Sequence, residues 1–299
     1  MRPGSEVQIG AVLPQTELGG DVRALRAYAL GVQALGYRHV VLYDHVVGAD
    51  RAVHAGWTRS YDVDTTFHEP MVVLGFLAGI TELELVTGVL ILPQRQTTLV
   101  AKQAAELDLL TEGRLRLGVG IGWNQVEYEA LGQDFHTRGK RLDEQIPLLR
   151  RYWTERSVSY HGRWDSVTGA GIAPVPVQRP IPIWVGAQSA AAYRRVGRLA
   201  DGWFPQMGPD ASFHEAWAVI SAAATAAGRD AASIGVEPRV AWRANAAEVA
   251  TLAGQWREIG AEYIAINTMG AGLRGVDEHL AALAEAASAL GLKATAPAK

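Results

Sequence analysis

Three places in this chain put reactive or anion-holding residue types where an apolar run stops. The stretch HVVLYDHVVG (39–48) carries Asp44 and His45 at the end of a β-branched run. A carboxylate beside an imidazole can hold a polar ring edge or move a proton, since an unperturbed histidine titrates near neutrality. The same pair is also what a buried strand needs where it meets water. GVGIGWNQVEYEALG (118–132) sets glycines at 118, 120 and 122 ahead of a helical pattern. VGAQS (185–189) ends a strand in small residues and a hydroxyl. Backbone N–H groups at such a turn are free to point at an anion. A phosphate-bearing cofactor lying across strands three to six would use all of these, and tight turns with no ligand account for any one of them. TGVLILP (87–93) places Gly88 inside a β-branched run, which marks a bulge or the close approach of a ligand.

Other chemistries find little support. The chain holds no cysteine, which removes thiolate metal sites, cysteine nucleophiles and disulfides. The first strand offers no His-x-His, and Asp44-His45 is the one such pair at a strand end, so no metal site is expected. No Gly-x-Ser-x-Gly elbow and no phosphate-gripping Gly-Lys-Ser/Thr loop is present.

The elements that must position these residues are legible as eight near-continuous apolar runs: 7–13, 39–44, 83–92, 114–120, 181–187, 202–205, 236–242 and 263–268. Pro238 is read at the start of the seventh, where its missing N–H does least harm. Helical spacing fills the intervals. Residues 21–36 carry an apolar face ending at Gly36, and Glu69-Pro70 opens a helix. Residues 97–113 form another, with Thr97 or Thr98 as its cap and Gly113 as its stop; further helices lie near 139–153, 188–199, 210–227, 245–258 and 276–290. Parallel strands buried under helices, with no linker, predict one α/β domain over 1–299: a single (β/α)8 TIM barrel with insertions after strand 2 and between strands 4 and 5. A doubly wound sheet would carry a glycine fingerprint after its first strand, where this chain reads PQTELGGD. Residues from about 292 to 299 are read as a flexible tail.

The insertions are 46–67, with His54, Trp57 and Tyr61, and 154–180, with a possible hairpin in SVSYHGRWDSV. The first suits either a lid over a substrate or an ordinary exposed loop. Trp57, Tyr61 and Trp203, at the end of the sixth run, are the candidate substrate contacts.

Totals bound the partners. Of 299 residues, 48% are hydrophobic, ample for a large core, and a net charge of −3 with pI about 6.3 gives nucleic acid no electrostatic footprint. MRPGSEVQIG lacks the apolar core of a signal peptide, and MVVLGFLAGI (71–80) is about half of what spans a bilayer, so a cytoplasmic protein is expected.

Taken together, LGYRHVVLYDHV, TGVLILP, AAELDLLTEGRLRLGVGIGWNQVEYEALG, PIPIWVGA and LADGWFP resemble the bacterial luciferase-like superfamily, and within it the coenzyme F420-dependent oxidoreductases. The resemblance runs from about residue 7 to residue 290 and is most specific over 104–132. It implies a barrel that binds a deazaflavin, or FMN, at the C-terminal ends of its strands. By motif position, Asp44 would lie near the ring's polar edge and His45 near its reacting face. Gly88, Val89 and Leu90 would form a bulge behind the ring, with a non-proline cis peptide at Val89–Leu90. Gly120, Ile121, Gly122 and Trp123 would line the channel, and Gly186, Ala187, Gln188 and Ser189 would hold the phosphate. A basic channel for the F420 tail could come from Arg95, Arg138, Lys140 and Arg141, the last three of which a solvated helix start explains equally well.

Two departures weigh against a sugar-phosphate substrate. Trp123 stands where the family's sugar-phosphate dehydrogenases carry a glutamate, with Glu127 one helical turn further on, and their tryptophan after the Asp-His pair is missing from DHVVGAD. The expectation is hydride transfer between F420 and a small organic substrate. An FMN-dependent monooxygenase and a non-catalytic F420-binding protein stand as alternatives, and family habit implies a homodimer.

Overall fold

A computed structural model describes residues 7–295; residues 1–6, and the end of the predicted tail at 296–299, lie outside the described residues. The strands are β1 (Gln8–Val12), β2 (His39–Leu42), β3 (Glu84–Thr87), β4 (Leu90–Ile91), β5 (Leu115–Gly120), β6 (Val158–His161), β7 (Ser166–Ala170), β8 (Ile183–Gly186), β9 (Gly202–Phe204), β10 (Gly235–Val236), β11 (Arg239–Ala241) and β12 (Tyr263–Asn267). All but β6 and β7 join one parallel sheet, in the order β10-β9-β8-β5-β3-β2-β1-β12-β11 with β4 on β5. Its two ends, β10 and β11, are separated in the chain only by Glu237 and Pro238. The sheet is therefore curled on itself. β2 and β5 are buried along their whole length, as strands covered on both faces should be.

Two of the eight apolar runs are broken. The seventh splits at Glu237-Pro238, so Pro238 lies between two strand pieces and its carbonyl accepts from Ala265 N at 3.0 Å. The third splits at Gly88-Val89, and the cis peptide is the Gly88–Val89 bond, one residue earlier than the motif placed it. Packing explains why the glycine marks the break. A Cβ on residue 88 would overlap Val41 Cγ1 and stand 2.7 Å from Arg239 Nη2.

Helices cover the sheet's outer face. Asp21 caps Val22–Ala34, and Glu69 accepts from Val72 N at 2.8 Å ahead of Pro70–Ala78. Thr97–Leu110 follows Gln96 with no side-chain cap, which corrects the reading of Thr97 or Thr98 as cap. Both hydroxyls point elsewhere: Thr97 donates to Asp165 Oδ2 at 2.8 Å, and Thr98 pairs with the Tyr152 hydroxyl at 2.8 Å. β6 and β7 form an antiparallel hairpin whose connecting loop donates three backbone N–H groups to the Glu144 carboxylate. Residues 292–295 lie along Val22–Ala34, where Thr295 N donates to Ala34 O at 3.1 Å. Among the described residues, no helix is long and apolar enough to cross a membrane.

Inside the curl, part of the aliphatic filling is replaced by charge and aromatic rings. His39 Nε2 lies 3.0 Å from Glu237 Oε1, and Arg116 pairs with both Glu237 and Glu84. The Arg116 guanidinium lies against the rings of Tyr263 and Trp184, 3.9 and 4.7 Å from their centroids. Glycines make the room. A Cβ at Gly10 would run into the His39 ring, and Cβ atoms at Gly202 or Gly235 would run into Trp184.

Candidate active site

The C-terminal ends of β2, β5, β8 and β12 open onto one cavity of about 760 Å³. It gathers most of the residues that sequence reasoning singled out: Asp44, His45, Tyr61, Gly88, Val89, Gly120, Ile121, Gly122, Trp123, Gly186, Ala187, Gln188 and Ser189 all line it.

Asp44 is buried, and its two carboxylate oxygens accept from Ile91 N at 2.8 Å and Arg95 Nη2 at 2.9 Å. Burial raises its pKa above the usual carboxylate range, and the neighbouring Arg95 charge opposes that rise. His45 Nδ1 lies 3.0 Å from Glu127 Oε1, an oxygen that also accepts from Val46 N at 2.7 Å and Val47 N at 3.4 Å. The fully buried Glu127 therefore accepts from every side. Acting as acceptor, it fixes the tautomer with the proton on Nδ1 and leaves Nε2 with the lone pair. The imidazole is set by rings: Phe67, Trp123 and Tyr61 meet it edge-on at 4.7, 5.2 and 5.3 Å between centroids.

The glycines have a specific reason to be glycine. A Cβ on Gly120 would stand 2.5 Å from Val89 Cγ2, one on Gly186 would stand 3.2 Å from Val89 Cγ1, and Gly122 has φ +63. The Val89 side chain fills the space between the ends of β5 and β8. Beyond β8, the Gly186–Ser189 turn leads into Ala190–Leu199, and Ser189 Oγ accepts from Ala192 N at 3.4 Å as the helix cap.

Three predicted contacts do not line the cavity. Leu90 is wholly buried in the core between sheet and helices. Trp203 is also wholly buried, stacked on Phe213 at 5.4 Å, with Nε1 donating to Ala187 O at 3.4 Å. Strand alternation turns both away from the cavity. Trp57 sits behind the wall, 5.8 Å from the Trp123 ring, and donates to Tyr61 O at 2.9 Å.

Three of the four predicted channel cations are committed elsewhere. Arg95 pairs with Asp44 and Glu69, Arg141 donates to Arg95 O, and Arg138 lies over the Phe135 ring and donates to its carbonyl. Lys140 instead joins Arg194, Arg195, Arg198, His136 and Asp143 around a second cavity of about 450 Å³. Ala191 lines it too, so both cavities border the first turn of Ala190–Leu199.

Sequence reasoning also missed residues. Arg239, Asn267 and Met269 line the large cavity, but their types mark no motif. Glu127 had a readable signal, an acid in the first turn of Gln125–Ala130 directly after the glycine-rich strand end. Among the described residues, no group of three or more His, Cys, Asp or Glu could hold a metal ion.

The sheet and cavity have known counterparts. An F420-dependent secondary alcohol dehydrogenase, solved with an F420–acetone adduct, superposes with TM-score 0.77 over 96% of this chain and 99% of its own, at 15% identity, a likeness of fold. An uncharacterised Mycobacterium tuberculosis protein is 41% identical over 138 residues, covering 46% of this chain and 47% of that one. The FMNH2-dependent dimethylsulfone monooxygenase of Pseudomonas putida is 31% identical over 152 residues, 50% of this chain and 42% of the enzyme. The F420-dependent glucose-6-phosphate dehydrogenase of Segniliparus rotundus is 29% identical over 221 residues, 71% of this chain and 62% of the enzyme. The chain spans about half the length of the first of these curated relatives. The sequence profile of the luciferase-like monooxygenases matches residues 7–296, and the chain belongs to that family.

Proposed function

We propose that the protein is an F420-dependent oxidoreductase built as a closed (β/α)8 barrel, with the seventh strand's two pieces completing the ring. The observation that carries the choice of cofactor is the cationic cavity bordering the same helix turn as the Gly186–Ser189 loop. FMN ends at one phosphate. The F420 tail continues past its phosphate with further negative charges, which Lys140 and Arg194 suit, with Arg198 beside them paired to Asp143.

The residues present fit such a group. Val89 backs the cavity between two glycine-bearing strand ends, and the Gly186–Ser189 turn offers backbone N–H groups to a phosphate. When bound, the deazaflavin supplies or takes the hydride. The chain's part is to orient and to move a proton. Asp44, anchored by Arg95 and Ile91 N, presents a fixed polar edge, and His45 Nε2 takes or returns the substrate's proton. The Glu127 carboxylate stabilises the imidazolium formed. The wall around His45 is aromatic, which suits a neutral organic substrate.

Equilibrium titration with F420 and FMN tests this reading. F420 is expected to bind, and the Arg194→Glu/Arg198→Glu pair to weaken it at least about tenfold, less so at high salt. FMN binding with no binding of F420 reverses the choice and favours the monooxygenase reading, to which the Pseudomonas putida relative belongs.

The same reading makes the protein a homodimer. Pro70–Ala78 and Thr97–Leu110 pack side by side and expose Val72 (71%), Phe76 (36%) and Leu99 (52%), a patch a second copy would cover. Sedimentation should give twice the chain mass, and Val72→Lys/Leu99→Lys should return the monomer; a monomeric wild type contradicts it.

A further inference from the structure

The large cavity contains a cation that no carboxylate balances. Arg239 opens β11 and extends to the end of β3, where Nη2 donates to Gly88 O at 2.7 Å. Its guanidinium carbon lies 5.0 Å from the Phe204 ring centroid and 5.2 Å from that of Tyr43. Nε is buried with no hydrogen-bond partner, and the absent Cβ of Gly88 leaves the space that the head group occupies. Among the described residues, Arg239 forms no ion pair. Other guanidinium groups nearby do: Arg95 with Asp44 and Glu69, Arg116 with Glu84 and Glu237.

An arginine cannot shed its proton to escape burial, so an unbalanced guanidinium is unfavourable until a counter-charge arrives. The other titratable groups lining the cavity do not provide one. Asp44 is held by Arg95, and His45 is held by Glu127. Burial raises the Tyr43 and Tyr61 hydroxyls above their usual range, and both stay neutral. Glu237, two residues before Arg239, is engaged by His39 and Arg116.

We propose that Arg239 is the counter-cation of the bound ring, so that the cofactor is held as its anion. This rests on the deazaflavin reading above. The deazaflavin ring carries a phenol-like hydroxyl whose negative charge, once the proton leaves, spreads through the ring to its pyrimidine carbonyls. A charge so delocalised meets a guanidinium lining the same cavity without needing a localised carboxylate, and Arg239 acts as a positioning and charge-setting residue.

The test uses the full chain with oxidised F420, following ring ionisation by absorbance across pH. The midpoint in the wild-type complex should lie at least about one unit, tenfold in equilibrium constant, below that of free F420. Arg239→Met should bring it back to the free value or above, and Arg239→Lys should fall between. A wild-type midpoint equal to or above that of free F420 overturns the proposal without any variant, as does an unchanged midpoint in Arg239→Met that still binds. If Arg239 instead recognises a carboxylate on the substrate, the ring titration will not respond to its loss. Failure of the wild type to bind F420 at all removes the cofactor reading and this proposal together.

Discussion

Glu127→Ala is expected to abolish most turnover and to cost about 3 kcal/mol or more of stability, whereas Glu127→Gln separates the two effects. The carboxylate is fully buried, and three of its four donors are the His45 ring and the Val46 and Val47 backbone; the fourth is Gln94 Nε2 at 3.3 Å. Alanine leaves those donors unmet beside a void. Glutamine keeps an oxygen for them, so the loop after β2 stays in place and stability falls by about 1 kcal/mol. It removes the negative charge that favours an imidazolium. Turnover should then fall at least about tenfold. Urea denaturation reads the first effect and steady-state kinetics read the second. His45→Ala sets the ceiling: unchanged turnover in that variant would remove His45 and Glu127 from the chemistry.

Glu237→Ala should produce the largest loss of stability of any single change considered, about 3–5 kcal/mol, because it leaves the buried Arg116 with Glu84 as its one carboxylate and the buried His39 without its partner. Burial by itself would raise the Glu237 pKa. Arg116 and His39 outweigh it and carry the group from 4.5 down to about 2. The sign follows from that depression. The stabilisation is fully present above the unfolded value and is lost as pH falls through the folded one. The window lies between about 4.5 and about 2, with roughly 3 kcal/mol at stake. Urea melts stepped down through that range should show wild type losing this increment, while Glu237→Gln shows a flatter dependence. Parallel curves for the two proteins would mean that the pair contributes nothing differential.

The periodicity of the sequence was enough to place every strand of the sheet and nearly every long helix, because each is buried along a continuous apolar run or along one helix face. It failed where a run is broken by packing. The third run carries a glycine that marks a bulge or a close approach, and only the neighbourhood of Val41 and Arg239 shows that packing is why residue 88 is glycine. In the site, Asp44, His45 and the glycines were legible since their types interrupt apolar strands. Leu90 and Trp203 were misplaced because a motif reports which strand end matters and not which side chains of that end face inward. Arg239 was hidden for another reason. Its significance lies in a partner 151 residues away in sequence, Gly88, and no local pattern encodes such a pairing; Glu127 was visible as a first-turn acid, but its pairing with His45, 82 residues away, was not.

The glycines opposite bulky interior side chains constrain how relatives can diverge. Gly10 exists in its present form because His39 does, and Gly202 and Gly235 because Trp184 does. Neither member of such a set can drift freely: enlarging the glycine collides with its neighbour, while shrinking the neighbour opens a void. Change in the interior of the curled sheet should therefore come as coupled substitutions. A homologue that has lost Trp184 has been released to place larger residues at 202 and 235. Mutational histories through this layer are then order-dependent, with the neighbour's reduction preceding the glycine's replacement.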